Sequence, residues 1–192
     1  GRKMIGVFAN TATIIIGSII GLLIKKGLSE RIANAMTTAT ALAVVYIGID
    51  GMLNGENTLI LVLSMVIGGV IGTLLNLDGH LESLGNKIEN KFSNGNGKIA
   101  EGFVSATLLF CVGAMTIVGS LQSGLSGNHE MLFTKSILDL ISSIVLASTL
   151  GWGVMLAAVS VFAIQGSIVL LAQAVEPFLS TAVISEMTCA GS

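Results

Sequence analysis

The stretch MIGVFANTATIIIGSIIGLLI, residues 4–24, decides the fold. It carries no charged side chain, and Lys25-Lys26 follows it at once. A bilayer-spanning helix needs about 20 mainly apolar residues, and this run has that length. Asn10, Thr11 and Thr13 interrupt its apolar character and no small-residue cleavage site follows, so a retained helix is favoured over a secretory signal with Arg2 and Lys3 as its basic end. Met4 reads as the natural start, with Gly1-Arg2-Lys3 foreign to the chain.

Five further runs follow the same pattern: about Ala35 to Leu53, Thr58 to Leu77, Gly102 to Leu121, Leu132 to Leu150 and Gly153 to Val175. The composition agrees. Of the 192 residues, 53% are hydrophobic and only 10% charged, against roughly a quarter charged in a typical soluble domain. The mean hydropathy is +0.90, too high for a soluble fold to hide its apolar surface. The expectation is an all-α, polytopic transmembrane bundle, residues 1–192 forming one integral membrane domain with six full spans. A net charge of −2 excludes a nucleic-acid-binding protein, which needs a basic face.

The one long polar segment is Asp78 to Glu101. Leu81, Leu84, Ile88 and Phe92 recur at steps of three and four, which predicts an amphipathic helix on the membrane surface, followed by a loop at Ser93-Asn94-Gly95-Asn96-Gly97. Lys25, Lys26 and Arg31 follow the first span, and Lys87, Lys91 and Lys98 follow the third. The other loops carry no Lys or Arg, which places these two connections in the cytoplasm and the amino terminus outside. After Glu176-Pro177 breaks the sixth helix, Phe178 to Ser192 reach roughly 22 Å as a helix, short of the roughly 30 Å hydrocarbon core. They form a partial seventh span.

Ile16-Gly17-Ser18-Ile19-Ile20-Gly21 resembles Ile67-Gly68-Gly69-Val70-Ile71-Gly72, a faint internal repeat whose glycine spacing suits close helix packing. Ser143, Ala147 and Gly151 make a similar small face on the fifth span. These faces also predict self-association into a homo-oligomer.

Polar side chains in lipid are costly and mark functional positions. Lys135 and Asp139, four residues apart, share a helix face and can pair. With a helix starting near Leu132, Asp139 lies about 10 Å deep and Lys135 about 5 Å, so Lys135 can snorkel outward and Asp139 cannot. Asn10 in the first span, Gln165 in the sixth and Glu186 in the terminal segment complete the candidate pathway. Asp50, near an outer loop, reads as solvated, and the threonines at 11, 13, 37, 38 and 40 as bonded to their own backbone. His80 and His129 are isolated, and neither Cys111 nor Cys189 has a partner at metal-ligand spacing. A bridge between the two cysteines would need their helices to touch. No metalloprotease, serine-hydrolase or P-loop motif occurs, so the reading is a non-enzyme without a cofactor.

Four stretches resemble a known group: Asn10 ahead of Gly17-x-x-x-Gly21, Gly27-Leu28-Ser29-Glu30-Arg31-Ile32, Lys135-Ser136-x-Leu138-Asp139 leading to Ala147-Ser148-x-Leu150-Gly151, and Glu186-Met187-x-x-x-Gly191. Together they resemble the bacterial YqgA/YdfK-like family of membrane proteins with a domain of unknown function. The resemblance implies a small multi-spanning protein of the bacterial inner membrane with a transporter-like role. It also implies further apolar sequence beyond the Glu-Met motif, so that the chain stops within its seventh span. The expected function is secondary transport, or channel-like passage, of an ion or small polar solute, with coupling to protons or sodium. The competing reading is a membrane scaffold or assembly module. Convergence of Asn10, Asp139, Gln165 and Glu186 on one site would favour transport.

Overall fold

The computed structural model describes residues 2–24, 28–53, 58–76, 83 and 97–175. After a 3₁₀ turn at Arg2–Met4 come α1 (Ile5–Ile24), α2 (Glu30–Leu53), α3 (Thr58–Leu74), α4 (Gly97–Cys111), α5 (Ala114–Leu125), α6 (Glu130–Leu150) and α7 (Gly153–Val175). The all-helical reading holds among the described residues. Four helices, α1, α2, α6 and α7, are long and apolar enough to cross a membrane.

The count of six full spans is not supported; with α4 and α5 taken as one bent span it reaches five. The expected fourth span is two helices meeting at 57°. Gly113, with φ −67° and ψ 146°, is extended where a helix would continue. Thr116 then ties the two pieces together, its hydroxyl donating to the Phe110 carbonyl at 2.7 Å and its N–H to that of Gly113. The expected third span is shorter than read: α3 stops at Leu74, about 25 Å from its start. Residues 97–101, expected in the surface segment, open α4 instead. The rest of that amphipathic helix, Leu81 to Phe92, and the partial seventh span with Glu186 lie outside the described residues.

The largest interface joins α1 to α6; α7 packs on α1, α4, α5 and α6, and α2 lies against α6. Glycines set the first of these. A Cβ on Gly6 would lie 2.7 Å from the Leu132 side chain, one on Gly17 2.6 Å from the Leu140 carbonyl oxygen, and one on Gly21 would meet the Ile144 carbonyl oxygen. The residue numbers rise together, so α1 and α6 run parallel. Gly17 meets Ser143 and Gly21 meets Ala147, so the two small faces expected from sequence pack on each other. Gly151, at φ 84° and ψ −158°, occupies a conformation open essentially to glycine and turns the chain from α6 into the antiparallel α7. The second copy of the repeat behaves differently. Nothing comes within 4 Å of a Cβ placed at Gly68 or Gly69, and α3 packs extensively on no described helix. α2 buries no residue.

Two apolar clusters form the core. One joins Val7, Leu132 and Val169, with Met4 packed against it. The larger contains Ile14, Ala106, Phe110, Cys111, Ala147, Val154, Ala157, Ala158 and Val161.

Candidate functional site

Between these clusters lies a polar layer, and helix periodicity places it there. Val7, Leu132 and Val169 touch across α1, α6 and α7. One turn inward on parallel α1 and α6 leads to Asn10 and to Lys135 and Ser136; one turn inward on antiparallel α7 leads to Gln165. All four are buried, Asn10 and Gln165 completely. A further turn reaches Ile14 on α1 and Val161 on α7, both in the larger cluster. On α1 and α7 the layer is therefore flanked by apolar side chains on both sides.

Lys135 and Asp139 pair as their spacing predicts. Lys135 Nζ donates to both carboxylate oxygens, at 2.8 Å to Oδ1 and 2.6 Å to Oδ2. The expectation that Lys135 snorkels outward is corrected: its side chain is 6% exposed and turns inward to the carboxylate. The Phe110 ring centroid lies 5.9 Å from the ammonium, within reach of a cation–π attraction. Cys111, a buried free thiol on the same helix as Phe110, feels the charge of both members of the pair. The end of α4 and the break after it therefore sit beside the ion pair.

The amides are the anomaly. Asn10 faces Asp139 closely enough to interact with its carboxylate, yet neither atom of its amide has a hydrogen-bond partner of acceptable geometry. The same is true of Gln165. A buried polar group without a partner costs about 1–3 kcal/mol, and native structures rarely leave one unexplained.

Sequence reading missed the hydroxyl face of α5. Thr116, Ser120 and Ser123 recur at steps of four and three, all fully buried, and line α5 from the break to its outer end. Ser120 Oγ has no partner. Ser123 Oγ donates to the Lys3 carbonyl at 2.8 Å and lies 2.7 Å from His129 Nδ1. Since the hydroxyl proton is committed to Lys3, Nδ1–H of His129 is the donor in that contact. The pair clamps the amino-terminal turn and does not offer a base to a serine nucleophile. The hydroxyl spacing on α5 was the signal that could have found this line. On the opposite side of Asp139, Ser143, one turn along α6, and Ser18 and Thr107 also hold buried hydroxyls without partners.

The remaining residues stand apart. Asp50 is exposed on α2. Thr11, Thr13, Thr37 and Thr40 donate to carbonyls of their own helices. Glu186 and Cys189 lie outside the described residues. Among the described residues no three His, Cys, Asp or Glu side chains gather where a metal could bind.

The profile of the family described as "Protein of unknown function (DUF554)" matches residues 5–192. The chain belongs to this family. It is 40% identical over 192 residues to the "Uncharacterized membrane protein YdfK" of Bacillus subtilis (strain 168), covering 98% of this chain and 81% of the relative. It is 27% identical over 193 residues to the "Uncharacterized protein YqgA" of Escherichia coli (strain K12), covering 98% of this chain and 82% of the relative. The resemblance stated from the four sequence stretches is thereby shown. No solved structure matches. With its apolar helices and these relatives, the chain is a multi-pass membrane protein.

Proposed function

We infer that this DUF554 protein is a secondary transporter or channel-like protein of the bacterial inner membrane, and that the layer formed by Asn10, Lys135, Asp139 and Gln165 binds the solute. One observation carries the reading: two fully buried amides at one level on different helices lie beside a buried ion pair with polar capacity unmet, Gln165 through both of its polar atoms and Asn10 in all but its contact with the Asp139 carboxylate. Interhelical glue would pair those amides with a neighbouring helix. A ligand or water in the layer would satisfy them instead. The break between α4 and α5 at the same level matches the discontinuous helices that build transporter sites near the bilayer midplane. With no nucleotide-binding motif, the driving force is an ion or solute gradient, and the layer binds without covalent chemistry.

A thermal-stability scan of the purified protein in detergent tests this. Ions, amino acids, organic acids and metals are screened against the wild type and Asp139→Asn. A ligand at about one hundred times its Kd stabilises by about 2.7 kcal/mol. A solute that stabilises the wild type and responds differently in Asp139→Asn is the expected result. Silence across the panel, with Asp139→Asn merely less stable, turns the reading to a scaffold.

A further inference from the structure

We propose that the polar layer takes up a small monovalent anion together with a proton, the anion on the ammonium of Lys135 and the proton on the carboxylate of Asp139. This rests on the pathway reading above and names its substrate class. The argument is one of charge balance. As it stands the pair is neutral, and both carboxylate oxygens are taken by the ammonium. Apolar clusters flank the layer, and an uncompensated charge buried between them is strongly unfavourable. An anion entering alone would take the ammonium and strand the carboxylate. A proton arriving with it converts Asp139 to a neutral acid, and the new pair, ammonium and anion, is neutral again. No bond other than the O–H of Asp139 is formed, and the proton comes from water.

The surroundings favour this over the mirror exchange, in which a metal cation takes Asp139 while Lys135 loses a proton. Phe110 stabilises the ammonium and not a neutral amine. The unpartnered Gln165 amide offers N–H donors to an anion, and the Asn10 amide, already beside the Asp139 carboxylate, can turn its carbonyl to accept once Asp139 is protonated. α5 begins a few residues after Phe110, whose ring meets the ammonium, and no side chain caps its N-terminus, the helix end that favours negative charge. Other ionisable groups do not compete. In their described lengths α1, α5 and α7 carry none. On α4 Cys111 faces the pair while Lys98 and Glu101 are exposed. On α2, Glu30, Arg31, Tyr46 and Asp50 are exposed.

The test is proton uptake by the purified protein in weakly buffered detergent with a pH indicator, on adding chloride, nitrate or lactate, each as a choline and a sodium salt. The wild type is expected to take up one proton for each anion bound, with anion affinity falling about tenfold per pH unit over the range where the free site is unprotonated. Asp139→Asn should bind the same anion with no uptake and no pH dependence, and Lys135→Met should do neither. If Asp139→Asn does not fold, the wild-type stoichiometry decides alone. Anion binding without proton uptake, or proton release on sodium addition, overturns the proposal while leaving the pathway reading intact. No response to any of these anions also overturns it; the pathway reading falls only if the wider thermal scan is silent too.

Discussion

Lys135 and Asp139 form a bidentate ion pair within one helix turn, their side chains 6% and 8% exposed. Removing one member of a buried pair strands the other, at about 3–5 kcal/mol, whereas replacing both by apolar groups is often neutral or stabilising. Asp139→Leu is therefore expected to lower unfolding stability by about that amount, and Lys135→Met with Asp139→Leu to recover most of it. Chemical unfolding of the single and double variants in one detergent checks this. An equally damaged double variant would mean that the pair holds the fold together by more than mutual charge neutralisation.

The amides make the opposite prediction. Because Gln165 has no partner, Gln165→Met should leave the ligand-free protein as stable as before or raise its stability by about 1–3 kcal/mol, whereas Asn10→Leu also gives up the contact with the Asp139 carboxylate. Ligand-dependent stabilisation should disappear in both. Calorimetry with and without the stabilising solute separates the two effects. A clear loss of ligand-free stability in Gln165→Met would reveal a structural bond to that amide.

The two copies of the glycine motif should respond differently to one methyl group. Gly17→Ala and Gly21→Ala drive a Cβ into the α6 backbone, for which overpacking of about 1–3 kcal/mol is expected. Gly68→Ala meets open space inside α3 and should leave stability unchanged or raise it by up to about 1 kcal/mol, the helix preference of Ala over Gly. Denaturant midpoints of the three variants make the comparison. Equal sensitivity at Gly68 would mean that α3 packs on another surface through its own glycine face.

Ser123 joins Lys3 and His129. Ser123→Ala removes the acceptor of the His129 N–H and the donor to the Lys3 carbonyl, and a loss of about 1–3 kcal/mol is expected. The loss should be local: faster amide exchange at Met4 to Val7 with the middle of α6 unchanged. Uniformly faster exchange would show that the clamp supports the whole bundle.

Much of this was written in the sequence. The i,i+4 spacing of Lys135 and Asp139 sufficed to pair them, because both lie on one helix and need no tertiary information. Gly17, Gly21, Ser143 and Ala147 were legible as packing faces, since only small residues let backbones approach. The break at Val112-Gly113 was not. No proline marks it, and a lone glycine in an apolar run reads as tolerated helix. Only the extended ψ of Gly113 and the cross-bond from Thr116 show that the chain turns. Nor could the shared level of Asn10 and Gln165 be read, because it depends on how α1 and α7 register against α6, a relation between segments far apart in sequence. The six-span count is not supported on two grounds: hydropathy does not register the 57° bend, and it reads on to Leu77 where α3 stops at Leu74.

The glycine seam between α1 and α6 has a mechanical consequence. Where a side-chain interface could slide by changing rotamers, backbone resting on backbone has no slack, so these two parallel helices behave as a single stave. Three members of the polar layer, Asn10, Lys135 and Asp139, are mounted on that stave; the fourth, Gln165, stands on α7, and the elbow at Gly113 lies beside the layer. On the pathway reading proposed above, any motion that opens the layer comes from α4, α5 and α7 moving against a fixed wall. A cross-link between α1 and α6 should leave solute movement intact, and one between α5 and α7 should arrest it.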